Sequence, residues 1–150
     1  MNALIKLLLP AIIGLTLINC SGNSGNRKIG YYKDLKKDLK GIELEKTEPV
    51  ADIDELESEV SNGGFNQYFF NSSGQNCFET LRALKGSGKI KTAEILETAI
   101  HLINPGNLSE NDLIEKLRNR EVQELDDSLV TQKLDSLDQL FYKSPDGSLK

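Results

Sequence analysis

The sequence is short of several residue types, and each shortage removes a class of function. Among 150 residues there are one His, two Cys and no Trp. A metal site built from several imidazoles is therefore excluded, and a Ser-His-Asp triad would depend on His101 alone. We expect His101 to lie at the polar edge of a helix in a structural role, and we predict neither a metal nor a cofactor.

Positive charge is also scarce. The chain has 18 Lys and Arg against 23 Asp and Glu, which gives a formal net charge of −5. Direct binding to nucleic acid requires a basic surface, so we expect no nucleic-acid partner. A protein with a basic surface is the better expectation, and oligomeric state cannot be inferred from these patterns.

Long apolar runs are missing except near the N-terminus. Residues 7–18 are almost entirely apolar and follow Lys6, as in a signal peptide, but the run is shorter than the ~20 residues of a membrane-spanning helix. It ends at Leu17-Ile18-Asn19-Cys20, which resembles the bacterial lipoprotein box, where the Cys is acylated after cleavage. The sequence thus predicts a signal peptide at 1–19 and a lipidated Cys20 that anchors the protein in the bacterial cell envelope. An uncleaved anchor or a plainly secreted protein is the alternative.

The remaining boundaries follow from composition. Residues 21–26 contain only Ser, Gly and Asn, which bury too little apolar surface to fold, so we predict a flexible linker at 20–30. Residues 31–145 carry the apolar periodicity of one helical domain, and 146–150 form a tail. Once Cys20 is acylated, Cys77 has no disulfide partner. Cys77 begins a helix whose dipole could lower its pKa, but a packed thiol is favoured.

No stretch shows the period-two alternation of a strand, so we predict an all-α fold, a compact orthogonal bundle of about six helices. Capping boxes are predicted at Asp52, Asn76 and Ser109. The helix at about 90–103 should end at Asn104-Pro105-Gly106. Helices are predicted at about 31–42, 52–61, 76–85, 90–103 and 109–119, with a last helix ending near Tyr142. The apolar stripe of that last helix consists of Leu125, Leu129, Leu134, Leu137, Leu140 and Phe141.

The nine aromatic residues are concentrated in one place. Four of them lie in residues 65–70, here called the aromatic segment. Phe65, Tyr68 and Phe69 have i, i+3, i+4 spacing, which puts three rings on one helical face and predicts that this face enters the core. Gly63 and Gly64 precede it and can adopt the positive φ that ends a helix, so we expect the preceding helix to stop there.

Candidate contact residues lie on both sides of Gly64. Amides next to Phe65 could form a recognition patch, although capping and loop hydrogen bonds explain them equally well. The acidic stretch, residues 43–59, has eight carboxylates against Lys46 alone. Such a run is usually a solvated face, but closely spaced carboxylates can also imitate DNA, which carries one charge per ~1.7 Å. The candidates are Asn62, Phe65, Asn66, Gln67 and Asn71, with Asp52, Asp54, Glu55, Glu57 and Glu59.

Three segments carry a family resemblance: residues 62–74 (NGGFNQYFFNSSG), 91–96 (KTAEIL) and 137–142 (LDQLFY). Together they resemble a widespread family of bacterial domains of unknown function whose named member is a DNA-mimic protein. The resemblance covers about 31–145. It implies a compact, mainly helical domain and, for the named member, an acidic surface that competes with DNA for a DNA-binding regulator. It implies no catalytic residues.

These observations give three functional hypotheses. The first is a membrane-anchored bacterial lipoprotein whose acidic helical domain binds a protein partner, without catalysis. The alternative is an acidic DNA-mimic regulator, although an exported protein would not meet a cytoplasmic regulator. The second alternative is a hydrolase that uses Glu59 and Glu79 beside the aromatic segment. Residues 86–89 (GSGK) lack the spacing of a phosphate-binding loop and are predicted to be a turn between helices.

Overall fold

Five α-helices and two short 3₁₀ helices form the described part of the chain. The computed structural model describes residues 48–149, and it contains no strand there, which confirms the all-α prediction for this region. The predicted signal peptide, Cys20, linker and helix at 31–42 lie outside it. The α-helices are α1 (Ile53–Phe70), α2 (Cys77–Gly86), α3 (Ile90–Ile103), α4 (Glu110–Arg118) and α5 (Ser128–Phe141), and the 3₁₀ helices are Ser72–Asn76 and Gln123–Asp126. Within residues 48–149, none of the helices has the length and hydropathy needed to cross a bilayer.

Two of the three predicted helix caps are confirmed. Asp52 Oδ1 accepts a hydrogen bond from Glu55 N at 2.8 Å and so begins α1. Ser109 Oγ accepts from Asp112 N at 3.2 Å and begins α4. Each satisfies one of the backbone N–H groups that the first turn of a helix leaves unpaired. The starts of α1 and α4 are therefore determined by residues that are close in sequence.

The cap predicted at Asn76 is wrong. Asn76 lies in the last turn of the first 3₁₀ helix, and α2 follows at once, so there is no extended residue from which a side chain could cap α2. Asn76 Oδ1 instead accepts from Val50 N at 3.1 Å. The amide thus connects the segment before α1 to the start of α2.

Helix α1 is bent at a glycine. Gly64 has φ 80° and ψ −176°, values outside the helical region, and the helix resumes with Phe65. The predicted stop at 62–64 is therefore a kink. The resumed helix has its own cap, because Phe65 N donates to Asp138 Oδ1 of α5 at 2.8 Å.

The aromatic segment lies in the core, as predicted. Phe65, Tyr68 and Phe69 are each at most 1% exposed. The Phe65 ring lies 6.1 Å from that of Phe69 and meets the Phe141 ring of α5 edge to face at 5.8 Å, centroid to centroid. Such aromatic pairs add to the free energy of burying the rings. Through the Phe65 ring, the aromatic segment packs α1 against α5.

The apolar stripe of α5 is wider than the face that α5 buries. Leu134 and Phe141 are buried, but Leu129 is 65% and Leu140 45% exposed. Helix α5 contacts α1, α3 and the second 3₁₀ helix, and the side on which Leu129 and Leu140 lie remains exposed. The end of α5 at Phe141 agrees with the predicted end near Tyr142.

Candidate functional site

The predicted amide patch is not a single surface. Gln67 Nε2 and Asn71 Nδ2 both donate to Glu59 Oε2, at 2.6 and 2.9 Å, and so connect the two halves of the bent α1. Asn62 is exposed, whereas Asn66 is only 3% exposed and lines a cleft beside the aromatic segment. A helix turns 100° per residue, so neighbouring amides point in different directions. The fifth member, Phe65, belongs to the core.

The acidic face is formed by Asp52, Glu55 and Glu59, which follow one another at i, i+3 and i+7 along the first half of α1. The pKa of Glu55 is raised, first because the carboxyl is partly desolvated and then because the charges of Glu59 and Asp52 repel its ionised form. The other two candidate carboxylates, Asp54 and Glu57, extend the negative charge around the helix. The carboxylates are close enough to interact, as predicted from the sequence.

No cation neutralises this face within the described residues. Residues 48–81 contain no Lys or Arg, and none of the five carboxylates forms an ion pair with residues 48–149. Several acids elsewhere do form ion pairs, such as Glu97 with Lys85 at 2.8 Å and Glu115 with Arg118 at 2.9 Å. The acidic face thus receives no countercharge from the described residues.

The two carboxylates of the hydrolase hypothesis have other partners. Glu59 accepts the two amide hydrogen bonds described above. Glu79 forms an ion pair with Arg82, whose hydrogen bond lowers the Glu79 pKa, and Arg82 also binds Glu110 at 3.0 Å. A catalytic acid requires a raised pKa, so the environment of Glu79 is opposite to that requirement.

The remaining reactive side chains considered from the sequence are Cys77 and His101. Cys77 is fully buried, and burial raises its pKa to about 12, which outweighs the helix dipole that could have lowered it. His101 is exposed, as expected, and its Nδ1 lies 2.8 Å from the carbonyl oxygen of Glu97. No group of three His, Cys, Asp or Glu side chains in the described residues could hold a metal ion.

The segments 62–74 and 137–142 form one joint between α1 and α5. Besides the bond from Phe65 N to Asp138 and the contact of the Phe65 and Phe141 rings, Tyr142 Oη donates to the carbonyl oxygen of Val60 at 2.9 Å. A Cβ on Gly64 would overlap the Asp138 carboxylate. The two segments therefore pack directly against each other in the fold. Sequence reasoning did not find Asp138, although an acid within an apolar stripe is the signal that could have revealed it.

A cleft beside the aromatic segment was not predicted. Its walls are Phe69, Phe70, Leu117, Val122 and Leu125, with Asn66 in its interior and Arg120 and Asp126 at its edge. It encloses about 360 Å³, including the part open to solvent, and a water-sized sphere has only about 10 Å³ of room. The cleft is therefore a narrow slit.

Arg120 at the edge of the cleft has an unusual backbone conformation. Its φ is 55°, in the left-handed region that non-glycine residues rarely adopt. Its guanidinium carbon lies 5.3 Å from the centre of the Phe70 ring, and burial lowers the pKa of Arg120. Four separate elements supply the lining of the cleft, so no local sequence pattern predicts the cleft.

Comparison with known proteins yields one finding. The sequence model of the family described as DMP19-like protein matches residues 30–149. No curated protein and no solved structure matches the chain.

Proposed function

Because the chain belongs to the DMP19-like protein family, we propose that its helical domain is an acidic binding module of the DNA-mimic type. Its partner would be a protein with a cationic surface, of the kind that DNA-binding proteins have. The observation that carries this proposal is the acidic face of Asp52, Glu55 and Glu59, which no described cation neutralises.

The negative charge of the chain is concentrated in the helical domain, which supports this function. Residues 48–149 carry 19 Asp and Glu against nine Lys and Arg, a formal charge of −10, whereas the whole chain carries −5. The difference arises because eight of the other nine basic residues precede residue 48. The domain is therefore considerably more acidic than the average composition suggests, and it would attract cationic partners over distances of about a Debye length.

Mutual repulsion within the acidic face favours a cationic partner. The pKa of Glu55 is raised first by partial burial and then by the charges of Glu59 and Asp52, so ionising this carboxyl costs free energy. A bound Lys or Arg removes that cost and replaces the lost hydration of the carboxylates. The complex should consequently weaken as salt is raised.

Capture from bacterial membrane extracts tests this function. Full-length protein should retain a basic protein at low salt and release it at high salt. A variant with Asp52→Asn, Glu55→Gln and Glu59→Gln, whose new side chains can still accept the hydrogen bonds of the cap and of the two amides, should retain at least tenfold less. Glu94→Gln, which removes an exposed carboxylate of α3, is the control and should retain a normal amount. If the triple variant captures the same protein equally well, the acidic face is not the binding surface.

Competition with DNA distinguishes mimicry from ordinary acidic binding. If the captured protein binds DNA, duplex DNA should displace it from this chain, because both ligands would occupy one cationic surface. A captured protein that DNA does not displace would limit the proposal to a basic partner.

We also propose that Cys20 anchors the protein in the bacterial cell envelope. The support is the lipoprotein-type segment at 17–20, which lies outside the described residues. Mass spectrometry of the N-terminus from fractionated cells should find an acylated Cys20 in the membrane fraction, and Cys20→Ala should move the protein out of that fraction. An intact Met1 in the cytosol would contradict the anchor and make a cytoplasmic regulator the expected target.

We propose no catalytic role. The hydrolase hypothesis would require Glu59 and Glu79, whose contacts favour structure over acid–base chemistry. Substrate screening with Glu59→Gln and Glu79→Gln provides the test. Turnover that either substitution abolishes, while the protein stays folded, would reinstate the enzyme.

A further inference from the structure

One exposed side of α5 carries no acidic residue. Leu129 and Leu140 are 65% and 45% exposed, and the exposed residues Lys133 and Ser136 lie between them. These four positions follow one another at i, i+4, i+7 and i+11, which places them on one side of the helix. Lys143, which is also exposed, follows just after the end of α5. The exposed face of α5 thus combines two leucines with two lysines.

The charge of this face is opposite to that of its surroundings. Residues 48–149 have a formal charge of −10, yet neither Lys133 nor Lys143 forms an ion pair with them. A cationic face with exposed leucines is complementary to a surface that is negatively charged outside and apolar underneath. A bilayer that contains anionic lipid is such a surface, because lysines reach its headgroups while apolar side chains enter the boundary of the acyl chains.

The exposed face of α5 points away from α1. Asp138, which caps the aromatic segment of α1, follows Leu129 by nine residues, or about two and a half helical turns. Leu129 and Asp138 therefore lie on opposite sides of α5. If the exposed face of α5 rests on a surface, α1 and its acidic face lie on the side of the domain away from that surface.

We propose that the exposed face of α5 docks on a bilayer surface that contains anionic lipid. The inference rests on the proposed anchor at Cys20, because two leucines and two lysines bind a membrane only weakly by themselves. Residues 21–47 connect that anchor to the described domain. A tether of such a length keeps the domain at a roughly millimolar effective concentration near the membrane, so a weak contact is sufficient. Docking in this orientation directs the acidic face toward a partner.

A fluorescent reporter at one position tests the docking, because the chain contains no Trp. Leu140→Trp reports on the exposed face of α5, and Ile90→Trp, at a residue of α3 that is 48% exposed, is the matched control. Both full-length variants are reconstituted through their anchor into vesicles of phosphatidylcholine and phosphatidylglycerol with brominated acyl chains. The bromine should quench the fluorescence of Leu140→Trp at least threefold more than that of Ile90→Trp. Equal quenching of the two variants would overturn the proposal.

Lysine variants test the charge of the surface. In the Leu140→Trp chain, Lys133→Gln together with Lys143→Gln should reduce the quenching at least twofold. Lys91→Gln together with Lys116→Gln, which removes the same charge from exposed positions of other helices, should leave it unchanged. Equal quenching in vesicles of phosphatidylcholine alone would contradict an anionic surface. Blue-shifted emission without quenching would show that a second copy of the chain covers the face, and would overturn the proposal.

The anchor and the face can fail separately. If mass spectrometry finds Cys20 unmodified, the anchor is wrong, and the same Trp variants are mixed in solution with brominated vesicles at millimolar anionic lipid. Selective quenching of Leu140→Trp would then support docking through α5 without the anchor. Equal or absent quenching of both variants would overturn the docking face as well.

Discussion

At the scale of single residues, Gly64 shows how closely the backbone and one side chain can depend on each other. Its φ of 80° suits glycine, and the Asp138 carboxylate occupies the space that a Cβ would need. The carboxylate can therefore reach Phe65 N only because residue 64 has no side chain. The kink and the cap are parts of one arrangement.

Gly64→Ala should lower the free energy of unfolding by about 2–4 kcal/mol, because it strains the backbone and displaces the cap of the aromatic segment. Urea denaturation followed by circular dichroism measures the loss. Gly86→Ala is the control, since a Cβ there meets nothing within 4 Å and should have little effect. Equal stabilities of the two variants would show that the cap does not depend on Gly64.

The Cys77 thiol should not react in the folded protein. It is fully buried and its pKa is about 12, so almost none of it is thiolate near neutral pH. Treatment with iodoacetamide at about pH 8 and peptide mass spectrometry should find Cys77 unmodified until urea is added. Alkylation without denaturant would mean that α2 opens readily.

Glu55→Gln should raise the melting temperature slightly at about pH 7. The folded state raises the pKa of this carboxyl, so it holds the proton more tightly than the unfolded chain, and ionisation at neutral pH costs stability. That cost disappears as the pH falls below the raised pKa. The gain should therefore vanish near about pH 4, close to the ordinary glutamate value. Thermal denaturation followed by circular dichroism at both pH values measures the gain, and an equal gain at the two pH values would contradict this explanation.

At the scale of helices, the aromatic segment is the part of α1 that packs against α5. Phe69→Ala should cost about 3–5 kcal/mol, because the ring is 1% exposed and its removal leaves a cavity. That is a large share of the 5–15 kcal/mol typical of a domain. Leu129→Ala on the exposed side of α5 should change stability by less than about 0.5 kcal/mol. A neutral Phe69→Ala would mean that the rings serve binding.

The success of sequence-based prediction varied between helices for physical reasons. Helix α3 was predicted at 90–103 and spans Ile90–Ile103, because its periodicity and its stop at Asn104-Pro105-Gly106 are local. The end of α1 was misplaced because the group that restarts it, Asp138, lies 73 residues away. Local patterns describe helix faces well, but they do not reveal a cap that another helix supplies.

The candidate sites differ in the same way. The acidic face was predictable, because helical spacing brings Asp52, Glu55 and Glu59 together within one element. The arrangement of the amides could not be predicted, because Gln67 and Asn71 bind Glu59 while Asn66 lines the cleft. The cleft itself depends on four elements that only tertiary folding assembles.

At the scale of the whole molecule, the last residues of the chain hold the domain together. Asp138 caps the aromatic segment, Tyr142 binds the carbonyl oxygen of Val60, and Asp146 accepts from Thr92 N at 2.7 Å, which lowers the Asp146 pKa. These contacts connect the end of the chain to α1 and to the first turn of α3. Stability is therefore shared across the described region.

Truncation after residue 137 should leave the chain largely unfolded, because it removes all three contacts and the buried Phe141 ring together. Circular dichroism should show loss of most helical signal and of the cooperative thermal transition. Lys143→Ala, which changes an exposed side chain in the removed segment, is the control and should preserve the transition. A truncated protein that still melts cooperatively would place the stability of the domain elsewhere.

The joint between Phe65 and Asp138 also sets an order of events during synthesis. A ribosome releases the chain from its N-terminus, so the aromatic segment emerges long before the carboxylate that caps it. The native core can close only when translation is almost complete, and contacts this distant in sequence slow closure further. The proposed export would benefit from this order, because a chain that lacks its last helix has no closed core to be unfolded before it crosses a membrane.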